Sequence, residues 1–117
     1  MKHSIGIDIV DVDDFRKKLL RTKSIKNRLF TDHEIEYCKN KGVESLAVRF
    51  AAKEAFKKAA DLQNLNWHDV EVRNLPSGKP ILSINKKIKN KLKIKSAKIS
   101  LSHTKKQAIA VVLLGRS

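Results

Sequence analysis

From Ser4 to Val10 the chain alternates, with Ile5, Ile7 and Ile9 on one face and Gly6 and Asp8 on the other. β-Branched residues at every second position predict an opening strand. The period then changes. Asp11 or Asp13 can cap a helix reaching about Arg21, with Phe15 and Leu19 on one side. Thr31-Asp32-His33-Glu34 is a capping box, in which hydroxyl and carboxylate each serve the other's backbone N–H. It predicts a helix to about Lys41, stopped by Gly42. The longest helix follows, from about Glu44 to Ala60. Trp67 to Asn74 reads as a strand, Pro76 to Lys79 as a turn and Pro80 to Ile84 as a short strand. Ile84, Ile88 and Leu92 recur every four residues and predict an amphipathic helix. Ala97–Ser102 and Gln107–Leu114 read as two strands joined by a tight turn. The second is nearly all apolar and is expected at the centre of its sheet. This order predicts one α+β domain over residues 1–117, an antiparallel-rich sheet packed with a long central helix.

Charge sharpens the picture. The 117 residues carry 26 Lys+Arg against 12 Asp+Glu, a net +14. Residues 1–71 hold 14 basic and all 12 acidic side chains, whereas residues 72–117 hold 12 basic ones and no acidic ones. Such a surface implies an acidic partner. The densest stretch, Lys86 to Lys95, reads as a nucleic-acid arm or as the solvated face of the amphipathic helix, and its apolar stripe favours the helix. No run nears the roughly 20 apolar residues of a membrane span. Asp8 stands where the apolar core of a secretory signal would lie, and the single cysteine, Cys38, fits a reducing cytoplasm.

Three places carry candidate chemistry. Asp8 opposes the isoleucine face among apolar neighbours, so its carboxylate needs a cation, a metal or backbone donors. The long helix holds an alanine stripe, Ala47, Ala51, Ala55 and Ala59, beside a basic stripe of Arg49, Lys53 and Lys57. Glu54 and Lys58 add an i, i+4 pair. That pair is either an ordinary surface contact or part of a phosphate site, in which cations hold oxygens and the carboxylate holds Mg²⁺. Ser100-Leu101-Ser102-His103-Thr104-Lys105 lies at the last strand junction, where His103 is a surface residue or a phosphate contact.

The motifs together resemble a family. They are Gly6-Ile7-Asp8-Ile9, Phe30-Thr31-Asp32-His33-Glu34, the block Arg49-Phe50-Ala51-Ala52-Lys53-Glu54-Ala55-Phe56-Lys57-Lys58-Ala59, Ser77-Gly78-Lys79-Pro80 and Ser100 to Lys105. In this order the chain resembles holo-acyl-carrier-protein synthase, the small bacterial-type group of 4′-phosphopantetheinyl transferases. The resemblance covers the whole chain. It implies that fold, a homotrimer with active sites between subunits, and transfer of phosphopantetheine from coenzyme A to a serine of acidic apo-acyl carrier protein. Adenosine 3′,5′-bisphosphate is the implied by-product. It also implies that Asp8 and Glu54 hold Mg²⁺ with the pyrophosphate, and that Glu54 or a metal-held water takes the serine proton. Lys58 would neutralise the leaving group, His103 would lie near the phosphates, and Arg49 and Lys53 would contact coenzyme A or frame its pocket.

Two departures stand out. The family's Gly-x-Gly turn after the central helix is absent from Ala59 to Asn66. Asp13-Asp14 occupy the place of an early basic residue, so carrier recognition is expected from the later cluster around Arg16, Lys17 and Arg21. The rival reading is a small basic nucleic-acid-binding module resting on the lysine stretch. It predicts steeply salt-dependent binding.

Overall fold

Alanine is the reason the molecule can be built around one helix. Helix α4, Val43–Ala60, turns Ala51, Ala52, Ala55 and Ala59 inward, and small side chains let it lie very close to a sheet. The computed structural model describes residues 2–117. Before α4 come strand β1 (Lys2–Asp11) and helices α1 (Val12–Arg21), α2 (Ile25–Leu29) and α3 (Asp32–Cys38). After it come a 3₁₀ turn (Trp67–Asp69), the hairpin β2 (Val70–Asn74) and β3 (Pro80–Ile84), helix α5 (Lys86–Lys91), and strands β4 (Ile94–His103) and β5 (Gln107–Arg116). The expected α+β class is therefore observed.

The main sheet has the order β1-β5-β4, antiparallel throughout, and β2 with β3 forms a separate antiparallel pair. The apolar β5 is central, as its composition predicts. Ala108, Ala110, Val112 and Leu114 face inward and are fully buried. The opening strand is β1, whose two faces differ sharply in exposure. Its isoleucine face is the outer one, with Ile5, Ile7 and Ile9 at 68%, 59% and 62% exposure. Gly6 faces α4 instead. A Cβ at Gly6 would stand 2.0 Å from the Ala55 carbonyl oxygen and 2.8 Å from the Ala59 nitrogen. Only glycine tolerates so close an approach of two backbones.

Two boundaries differ from the sequence reading for a local reason. Trp67–Asp69 is a 3₁₀ turn rather than strand, because the Asn66 side chain accepts the His68 N–H and starts a turn. The lysine-rich helix begins only at Lys86, where Asn85 caps it by accepting the Lys87 N–H. Ile84 thus stays in β3, although Ile84, Ile88 and Leu92 all pack on the core as their spacing suggests. Helix α2 is additional to the predicted set. The capping box is present as read, with Thr31 and Glu34 bonded reciprocally.

Candidate active site

Asp8 points from the inner face of β1 and is held at the core boundary, its side chain 16% exposed. Its Oδ1 accepts a hydrogen bond from Lys58 Nζ at 3.1 Å, and the same ammonium donates to the Ile7 carbonyl at 3.0 Å. Glu54 lies one turn before Lys58 on α4. Asp8 and Glu54 line one open cavity of about 440 Å³, closed on its other sides by α1 through Asp14, Phe15 and Lys18 and by Phe50. An adjoining hollow is lined by Glu54, Lys57, Lys58 and Asp61. One wall of the site is thus the row Phe50, Glu54, Lys58, four residues apart on a single helical face. Its position follows from the Gly6–Ala55 contact, which brings β1 against that part of α4.

Two carboxylates opening on one cavity fit a magnesium ion. Mg²⁺ is commonly held by one or two carboxylates while phosphate oxygens and water complete its six positions. Among the described residues no cluster of three or more His, Cys, Asp or Glu is arranged to hold a metal by itself. Asp8 and Glu54 therefore suit an ion shared with a phosphate-bearing substrate.

Of the basic stripe, Lys57 reaches the adjoining hollow, but Lys53 and Arg49 do not join the two carboxylates. Lys53 is fully buried and donates to Glu34 Oε1 at 2.6 Å, the Leu29 carbonyl at 2.8 Å and the Trp67 carbonyl at 2.9 Å. All three ammonium protons are used inside the protein. Burial lowers the Lys53 pKa, against the charge and hydrogen bond of Glu34. Of the two roles expected for Lys53, contact with coenzyme A or framing of its pocket, the enclosed and saturated head group suits framing, because it has no free donor.

Arg49 is also nearly buried, at 4% exposure, but it borders open space. Its guanidinium donates to Ser45 O and Oγ and, at 2.7 Å, to Asn74 Oδ1, and it stacks on Tyr37 with 4.8 Å to the ring centroid. Its Nε has no partner. A second cavity of about 290 Å³ is lined by Arg49, Tyr37, Lys41, Asn74, Gly78 and His103, among others. His103 ends β4 there, away from the Asp8–Glu54 cavity, and the two cavities share no lining residue. Arg49 and Glu54 are five positions apart, about 140° around the helix. One chain thus carries two separate cavities on different flanks of α4.

Lys18, expected in the carrier-binding cluster with Arg16, Lys17 and Arg21, lies at the first cavity, and sequence reasoning missed Phe50 there and Tyr37, Lys41 and Asn74 at the second. Phe50 could have been found from its spacing of four from Glu54. Asn74 lies 25 residues from Arg49 and gives no local signal. The missing Gly-x-Gly turn is replaced by Asp61, which takes the left-handed conformation at φ 56° and ends α4.

Comparison with known proteins agrees with this geometry. The 4′-phosphopantetheinyl transferase superfamily matches residues 4–112. Holo-[acyl-carrier-protein] synthase of Geobacter sulfurreducens is 44% identical, over 95% of this chain and 95% of that one. The crystal structure of Helicobacter pylori holo-[acyl-carrier-protein] synthase in complex with coenzyme A is similar at a TM-score of 0.88 and 34% identity, over 95% of this chain and 99% of that one. A Bacillus anthracis holo-(acyl-carrier-protein) synthase structure in complex with CoA (3′,5′-ADP) gives a TM-score of 0.81 at 36% identity, over 97% and 96%. The chain belongs to the 4′-phosphopantetheinyl transferase superfamily and, within it, to the holo-[acyl-carrier-protein] synthases.

Proposed function

We propose that the enzyme transfers 4′-phosphopantetheine from coenzyme A to a serine of apo-acyl carrier protein, with Mg²⁺, releasing adenosine 3′,5′-bisphosphate. The opening of Asp8 and Glu54 on one cavity, with Lys58 bonded to Asp8 and lining the adjoining hollow beside Glu54, carries this reading. Asp8 and Glu54 are the residues to hold the ion. When bound, Mg²⁺ supplies positive charge at the pyrophosphate. Lys58, half-exposed on the same wall, places a second cation where charge grows on the departing phosphate. Glu54, or a water beside it, receives the proton of the attacking serine.

The second cavity suits the nucleotide of coenzyme A. Arg49, Lys41 and His103 offer donors to its phosphates. Because the two cavities lie apart in one chain, a complete site needs the Arg49–His103 cavity of one copy beside the Asp8–Glu54 cavity of the next. The outer sheet face supports such a homotrimer. Ile5 pairs with Leu113 and Ile9 with Ile109, and all four are exposed. A contiguous apolar face of this kind marks an interaction surface.

Helix α1 is the natural seat for the acidic carrier protein, through the cluster of Arg16, Lys17 and Arg21. Arg16 and Lys17 both pair with Asp13, at 3.0 and 3.3 Å, which tempers their charge. Lys18 stands at the catalytic cavity, over the Phe50 ring. Localisation in the cytoplasm belongs to the same reading, and among the described residues no helix is long and apolar enough to cross a membrane. The rival nucleic-acid module lacks a stacking platform, because residues 68–117 contain no aromatic side chain.

The test is a mass-shift assay of apo-acyl carrier protein with coenzyme A. The reading predicts holo-carrier with Mg²⁺ and none after chelation. Absence of product with Mg²⁺ and a cognate carrier would refute it.

A further inference from the structure

We infer that the buried Lys53–Glu34 ion pair is a positioning device for Glu54. The inference rests on the reading of Glu54 as a metal-holding carboxylate. Glu34 Oε1 accepts from Lys53 and from the Thr31 N–H at 3.0 Å, and Oε2 accepts from the Val72 N–H at 2.9 Å. Lys53 adds the Leu29 and Trp67 carbonyls. One ion pair, 0% exposed on both sides, thus joins α2, α3, α4, the 3₁₀ turn and β2.

The place of this knot along α4 gives it a role beyond cohesion. Glu54 stands between Lys53, clamped by polar bonds, and Ala55, clamped by the backbone of β1 at Gly6. The steric clamp sets how near α4 lies to the sheet. It does little to stop the helix rolling on its smooth alanine face. The polar clamp resists that roll beside Glu54, because rotation about the axis would pull Lys53 Nζ off acceptors that come from three other elements, a buried restraint added to the bonds of Arg49 to Asn74 and of Lys58 to Asp8. A buried ion pair is weak evidence for stability, and a fixed geometry is its better-supported use. Roll about α4 is the motion that would swing the Glu54 carboxylate relative to Asp8.

The test uses the full chain and three variants. Lys53→Met/Glu34→Gln removes both charges while keeping an acceptor for the Val72 N–H. Glu34→Gln alone leaves the Lys53 ammonium buried without its carboxylate and is the harsher change. Glu54→Gln tests the underlying reading. Folding is checked by circular dichroism at the assay temperature. The kinetics are followed by carrier mass shift, and Mn²⁺ binding in the presence of coenzyme A by electron paramagnetic resonance. The double variant is expected to be folded there, with KM for coenzyme A within about twofold of wild type and kcat and Mn²⁺ affinity lower by at least about tenfold, the scale of a sub-ångström to 1 Å misplacement. Glu34→Gln should move both in the same direction wherever it stays folded.

A folded double variant with wild-type kcat and Mn²⁺ affinity would overturn the positioning role. So would failure of both Lys53→Met/Glu34→Gln and Glu34→Gln to fold, since the pair would then serve the fold itself. Wild-type behaviour of Glu54→Gln would overturn the site reading and the inference together. Loss in Glu54→Gln with wild-type behaviour in the double variant overturns only the inference.

Discussion

Replacing Gly6 with alanine asks for space that the packing of β1 on α4 does not leave. The new Cβ would stand 2.0 Å from the Ala55 oxygen, 2.8 Å from the Ala59 nitrogen and 3.0 Å from the Ala55 carbon. All three neighbours are helix backbone, so no side chain can swing aside. Restoring an ordinary contact near 3.4 Å requires β1 and α4 to separate by roughly 1.4 Å. Overpacking of this kind costs about 1–3 kcal/mol, and a backbone-on-backbone clash belongs at the upper end. For a domain of this size that is a fall in Tm of roughly 10 °C. Asp8 is two residues along the same strand, so it moves away from Glu54, and about 1 Å at a catalytic group costs on the order of 10²-fold in rate. The assay is thermal unfolding together with carrier mass shift at a temperature where the variant is folded. Ser4→Ala on the same strand is the control. Its buried hydroxyl has no partner, so its loss should leave both readouts near wild type. A Gly6→Ala protein with wild-type Tm and wild-type activity would refute the close-packing argument.

Other outcomes follow from the same structure. Ile7→Lys puts a charge on the exposed isoleucine face, and sedimentation should show the wild-type chain as the proposed trimer and the variant as a folded, inactive single chain. Asp61→Gly relieves a positive φ at the end of α4, and should raise stability by about 0.5–1 kcal/mol, a Tm gain of roughly 3 °C. Glu71 is pushed up by burial, but hydrogen bonds from Thr31 and Arg73 prevail and hold its pKa below the ordinary 4.5. Its contribution to stability is therefore complete above about pH 4.5 and lost as the pH falls through its lower folded value. Denaturant unfolding should show Glu71→Gln less stable than wild type at neutral pH, with the gap closing in acid.

The parts of the site that were legible in the sequence are those whose cause is local. A capping box needs four consecutive residues, and Thr31 to Glu34 supply them. The alanine stripe of α4 is visible from its spacing, as are the Glu54–Lys58 pair and the inward direction of Asp8. What stayed hidden depends on distant partners. Lys53 looks like a third cation beside Arg49 and Lys57, and only the fold reveals Glu34, nineteen residues away, closing over it. The isoleucines of β1 look like core residues. They are outside because α4 comes too near for anything but glycine at Gly6. His103 and Glu54 look like members of one site, yet a single chain sets them in separate cavities. The break at Trp67 turns on one side-chain bond from Asn66, a detail below the reach of alternation.

The central claim is that Asp8 and Glu54 share one divalent ion with coenzyme A at a site completed by a second copy. A crystal structure with Mn²⁺ and coenzyme A tests it most directly. The expected result is an anomalous peak between the Asp8 and Glu54 carboxylates, with the pyrophosphate on the same ion and the nucleotide against Arg49 and His103 of another copy. A peak elsewhere, or coenzyme A held within one chain and away from Glu54, would contradict it.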